Sequence, residues 1–214
     1  MPVSPRRILG AVVAVLGVAL AVFAAWTAIK LGPSGQARFS VASQAPGALV
    51  VPPDVLNSVD VPVRISVTRS DGGAVRLVAA PSTDARAVLG KSAVSTVSGV
   101  RFPAGGLDLH ASGAGPLTAV GSSDVWRLSA TRTGLAELVV DQGKGPESAV
   151  VTSGDATQLK GVTMTMTWAD RTWFFEALAA AVIGAIIATF AIGDLWQSRP
   201  RRTSSMSSGP RHGR

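Results

Sequence analysis

Two long stretches of the chain are predominantly apolar, and the sequence between them alternates in short runs. Residues 8–28, "ILGAVVAVLGVALAVFAAWTA", carry no charge. At about 1.5 Å per residue this stretch makes a helix of roughly 30 Å, the thickness of the hydrocarbon core of a bilayer. The second stretch, 173–196, is bracketed by Trp173 and Trp196, which suit the two membrane–water interfaces. Both predict transmembrane helices. A cleaved signal peptide competes for the first, with "ALA" at 19–21 as its cleavage site. The apolar run exceeds the roughly 7–15 residues of a signal core, which favours a retained anchor.

Between the two, the hydrophobic period is two. "VPVRISVT" at 61–68 places Val61, Val63, Ile65 and Val67 on one face, and "VTMTMTW" at 162–168 alternates Val, Met, Met and Trp against three threonines. Further strands are predicted at 38–41, 74–79, 125–130 (Trp126 and Leu128 on one face), 135–141 and 147–152. "RSDGG" at 69–73 and "QGKGP" at 142–146 read as hairpin turns joining their neighbours, and 46–53 reads as a loop. One short helix is expected at 83–90, with Thr83 as N-cap and Gly90 as the stop. Seven to nine short strands predict a mainly β fold. The expectation is an antiparallel β-sandwich-like domain over 31–172, flanked by two transmembrane α-helices. The tethers are short, for only "ADRT" separates Trp168 from Trp173, and four residues reach at most about 14 Å. The β domain is therefore expected beside the bilayer surface, with partners in or next to the same membrane.

Charge sets the expected topology. The net charge is +7, and all of it lies at the ends: Arg6 and Arg7 before the first span, and five arginines, beginning with Arg199, Arg201 and Arg202, after the second. Residues 8–198 hold 13 basic and 13 acidic side chains. A neutral folded part argues against nucleic-acid binding, which needs a basic face. Basic flanks stay on the cytoplasmic side, so 1–7 and the tail 197–214 are expected to be cytoplasmic and 31–172 extracytoplasmic. The tail, rich in Ser, Gly, Pro and Arg, is expected to be disordered and drawn to anionic lipid headgroups. Phosphorylation at Thr203, Ser204, Ser205, Ser207 or Ser208 is an alternative role for it.

The candidate chemistry is thin. There is no cysteine, which excludes disulfides, thiolate catalysis and Cys-based zinc sites. Of the two histidines, His212 is in the tail and His110 stands between Asp108 and Ser112, too few groups for a metal site or a convincing triad. No P-loop, dinucleotide fingerprint or H-E-x-x-H occurs. No catalytic residue, cofactor or metal is expected. Small residues recur every four positions in both spans: Gly17, Ala21 and Ala25 in the first, and Ala180, Gly184 and Ala188 in the second. Such ladders let helices approach closely. They serve either the packing of the two spans on each other or a partner's docking, unless an Ala-rich composition produces them by chance. Glu176 and Asp194 lie near the ends of the second span, away from the bilayer centre, where an ionisable group marks function by default. Both read as interfacial. Glu176 is the stronger candidate for a functional carboxylate, because it faces the β-domain side.

Arginine outnumbers lysine 16 to 4 and there is one asparagine, a composition of GC-rich bacterial genomes. The stretch 124–196 carries a Trp-containing strand, a Gly-rich hairpin and a "VV…GD" strand, marked by Trp126, Gly143, Val150, Val151, Gly154 and Asp155, then a terminal span. In this it resembles a loose pattern of uncharacterised actinobacterial two-span membrane proteins with an extracytoplasmic β domain. That resemblance implies a cell-envelope location and assigns no activity. The expected function is that of a non-enzymatic integral membrane protein of a bacterial envelope whose β domain binds or scaffolds a membrane or envelope partner. The alternatives are an accessory subunit of a transporter or channel and, ranked last, an envelope hydrolase.

Overall fold

Apolar periodicity and its absence divide the chain into two compact units, one of two helices (1–30 with 173–214) and one of strands (Leu31–Thr172). The computed structural model describes residues 5–44, 47–102, 104–117, 120, 123–141, 143, 145–154, 159 and 161–197. The expectations for the tail beyond 197, for its phosphorylation sites and for Asp155 fall outside these residues.

Helices α1 (Pro5–Leu31) and α4 (Arg171–Gln197) are each 27 residues long, ample for roughly 30 Å at about 1.5 Å per residue. Both are long and apolar enough to cross a membrane. Their outward faces are exposed and apolar, with Leu9, Leu16 and Phe23 on α1 and Ile183, Ile186 and Phe190 on α4. Only 17% and 11% of their most apolar windows are buried, unlike the core helix of a soluble protein.

The strand unit contains β1 (Gln36–Ser43), β2 (Ala48–Val51), β3 (Val63–Arg69), β4 (Ala74–Pro81), β5 (Val94–Arg101), β6 (Gly106–Ser112), β7 (Leu128–Thr133), β8 (Leu135–Val140), β9 (Glu147–Ser153) and β10 (Val162–Ala169). Two short helices, α2 (Pro53–Leu56) and α3 (Ser82–Leu89), interrupt them. All ten strands form one sheet in the order β7-β4-β9-β2-β5-β6-β1-β10-β3-β8. This is a nearly closed, barrel-like sheet, which corrects the expected sandwich. Its end strands β7 and β8 are consecutive in the chain, joined at Gly134 with φ of 85°, and lie close to each other. The sheet is not wholly antiparallel either, because β1 pairs with β6 and β2 with β5 in parallel.

Period two builds the barrel core. Val162, Met164, Met166 and Trp168 of β10 are buried, and their register partners Val63, Ile65 and Val67 on β3 are fully buried too. Phe39 of β1 meets Trp168 edge to face at 5.8 Å. A second core lies on the other face of the sheet. Ala48, Val50, Val78 and Val150 pack there against Ala85 and Leu89 of α3 and against Val120. Strand β2 is consequently buried on both faces, which is why "ALVV" shows no alternation and reads as a loop.

Four further local expectations are corrected. The Asp-Gly turn at 71–72 forms, with φ of 71° at Gly72, but β3 and β4 share no ladder: β3 pairs with β10 and β8, and β4 with β7 and β9. Likewise β8 and β9 flank a turn without pairing to each other. A turn signal is local and does not decide which strand lies alongside. Trp126 stands before β7 rather than in it, and its indole Nε1–H donates to Val120 O at 2.6 Å beside the second core. Helix α3 starts after Pro81, with no side-chain cap from Thr83, and ends at Gly90 with φ of 53°.

Candidate functional site

The helical unit is built on small side chains. Placing a Cβ at Gly17 would bring it to 2.7 Å from Ala188 N, and one at Gly184 would lie 2.6 Å from Ala21 N. Gly10 in turn meets Leu195, so residue numbers fall on α1 as they rise on α4 and the helices are antiparallel. Gly17, Gly184 and Ala188 are buried at this contact, Ala21 and Ala180 are half-buried, and Ala25 is exposed. The seam on α1 is Ala14, Gly17, Ala21, Ala24 and Ala28, with steps of three and four. Steps of four alone advance about 400°, so a strict ladder drifts about 40° per step off the contact, whereas alternating three and four holds it. Ala14, Ala24 and Ala28 escaped the four-residue pattern for that reason.

At the start of α4, Asp170 accepts from Thr172 N and Thr172 Oγ1, both at 2.8 Å. The backbone N–H of Thr172 and then its hydroxyl hold the Asp170 carboxyl below the usual carboxylate range. Asp170 is thus the N-cap. Glu176 follows on α4, exposed, eight residues before Gly184 and so about 80° around the helix from the seam. Asp194 is exposed near the other end and is engaged rather than free. Neither carboxylate stands in the seam.

His110, Asp108 and Ser112 lie on β6 and are all exposed. Alternation puts them on one face, in a row along the strand. Arg101 Nε takes the Asp108 carboxylate at 2.9 Å, and nothing in the row converges on His110. Among the described residues, no group of three or more His, Cys, Asp or Glu side chains comes together.

Two charged clusters were missed by sequence reasoning. Arg69 ends β3 on its inward face, with a side chain only 4% exposed. It donates to Asp71 through Nε at 2.9 Å and Nη2 at 2.6 Å, and through Nη1 to Ala74 O at 3.1 Å and Ser153 Oγ at 3.0 Å. The Arg69 guanidinium, with the Gly73 N–H, pulls the Asp71 carboxyl below its ordinary value. Arg69 therefore ties β3 to β4 and β9 where the ladder is absent. The signal was available, since Arg69 continues the inward set Val63, Ile65 and Val67. The second cluster is a two-pronged ion pair from Arg127 to the Glu147 carboxylate, whose side chain is 4% exposed. Bonding to Glu147 raises the Arg127 pKa further. Both clusters brace the barrel.

No protein-family model, curated protein or solved structure matches this chain.

Proposed function

We propose that the chain is a non-enzymatic integral membrane protein of a bacterial cell envelope, crossing the membrane twice, with both termini in the cytoplasm. Its barrel-like unit stands outside and binds or braces a partner in or beside the same membrane. The observation that carries this reading is the exposed apolar surface of α1 and α4, joined to a β unit whose first and last strands pair, Gln36 opposite Ala169. Exposed apolar helices of this length cost free energy in water and none in lipid. Basic flanks at both ends support the orientation. The outward face of β1, β10, β3 and β8 offers a partner a polar row, Ser40, Thr165, Ser66 and Glu137 in register.

An alkaline phosphatase fused after residue 120 should be active; an inactive fusion there contradicts the orientation. Affinity purification of the full chain in detergent, quantified against an unrelated two-span protein, should enrich a partner that the Thr165→Arg variant loses. Equal recovery by both variants excludes that face. A second reading, an accessory subunit of a transporter or channel, is favoured by Glu176, a carboxylate exposed among the apolar side chains Phe175 and Leu178 of α4. Glu176→Gln abolishing transport without loss of the protein would select it.

A further inference from the structure

Four large apolar side chains are exposed on the described β unit: Val100, Phe102, Leu135 and Val139. Their placement is uneven. The β5–β6 hairpin closes at Arg101 opposite Gly106, with Gly105 N donating to Arg101 O at 3.0 Å. Its tip is pinned to β1, because Ser40 N donates to Gly105 O at 2.9 Å and β6 runs parallel to β1 from that point. The tip therefore points back along β1 towards Gln36. That is the end from which both chain ends of the unit leave: Gln36 is opposite Ala169, and Asp170 N donates to Gly35 O at 3.1 Å. Val139, opposite Arg64 and one position from the Val63–Trp168 level, lies in the same half. Leu135, opposite Thr68, lies at the far end. Phe102 and Val139 thus lie towards the end where the chain ends of the unit leave, whereas Val100, opposite Leu107 and so one position past the Ser40 level, lies with Leu135 in the other half.

Phe102 is 61% exposed at the hairpin tip, with Val100 two residues before it. The neighbouring Arg101 is held by Asp108, so the tip presents its apolar side chains beside a fixed cation. We propose that this tip, led by Phe102, is a foot that inserts into the headgroup layer of the membrane its flanking helices cross. The occupant is a lipid surface because the chain itself brings one within reach. Strand β10 ends at Ala169 and α4 begins at Arg171, and β1 begins five residues after Leu31. At no more than about 3.6 Å per residue, neither connection lifts this end far from the interface. Aromatic and aliphatic side chains at such a depth bury in the boundary between headgroups and acyl chains. The foot rests on the two-span reading.

The absence of native cysteine makes single-cysteine labelling direct. Phe102→Cys, Leu135→Cys and Ile183→Cys, each carrying an environment-sensitive nitrobenzoxadiazole group, are reconstituted as full chains into phosphatidylcholine–phosphatidylglycerol vesicles. Ile183 is 53% exposed in the middle of α4 and reports on spanning, and Leu135, 51% exposed, is the far-end control. The label at 183 should be quenched by lipid spin-labelled deep in the acyl chains. The label at 102 should be quenched by lipid spin-labelled near the headgroup about twofold or more strongly than that at 135, which iodide should reach. If 183 escapes lipid quenching, the two-span reading falls and the foot with it. If 183 is quenched and 102 behaves like 135, the foot alone is overturned. A label at 102 shielded from both iodide and lipid also overturns it, because protein then covers the tip.

Discussion

Arg127 and Glu147 show how much a single partner matters. The Glu147 side chain is 4% exposed and that of Arg127 35%. Removing one partner of a pair wholly out of water costs about 3–5 kcal/mol. Water reaches Arg127, so Arg127→Met should cost less, about 2 kcal/mol, as a fall in the thermal midpoint of the full chain in detergent. An unchanged midpoint would mean that Glu147 finds another partner. Asp71 gives a pH dependence with a definite sign. Arg69 and the Gly73 N–H lower its folded pKa, so the proton binds more tightly in the unfolded chain. The stabilisation is complete above the ordinary carboxylate value of about 3.9 and is lost as pH falls through the lower folded value. Asp71→Asn should therefore lower the thermal midpoint at pH 7, and the gap from wild type should close in strong acid. Asp170, held down by Thr172, contributes with the same sign.

Among the elements, the helix seam separates a pattern in sequence from a pattern in space. Ala24 is buried at 5% exposure, whereas its neighbour Ala25 is exposed. Ala24→Leu should overpack the contact and cost about 1–3 kcal/mol, while Ala25→Leu stays within about 0.5 kcal/mol. Thermal unfolding in detergent decides between them, and the reverse order would move the seam to the four-residue ladder. Strand legibility followed the same logic. Strands β3 and β10 were readable because each has one buried face and so shows period two. Strand β2 was not, because both its faces are buried, and β5, "VSTVSGVR", is too rich in small polar residues to show a face. The turn at Asp71–Gly72 was readable and its consequence was not. Inward Arg69 fills the place where a β3–β4 ladder would begin, its guanidinium carbon 2.6 Å from where a Cβ on Gly73 would stand.

For the whole molecule, apolar helices at the two ends and a β unit between them were legible from hydrophobic period alone. Barrel-like curvature and the two parallel pairs were not, because they depend on partners distant in sequence such as Leu49 and Ser95. The site was the least legible part: the exposed row Asp108, His110 and Ser112 does not converge, and the small-residue face is occupied by the chain's own second helix. Among the described residues, what remains accessible is the polar outer sheet, the β5–β6 hairpin tip and the outer faces of the two helices. That account stands on the two spans and their orientation. The most direct measurement uses the cysteine-free chain with one cysteine at a time, Ser40→Cys on the exposed face of β1 or Ser204→Cys in the tail. A membrane-impermeant maleimide applied to intact cells should label position 40 at once and position 204 only after permeabilisation. Labelling of 204 in intact cells, or protection of 40, would contradict the account.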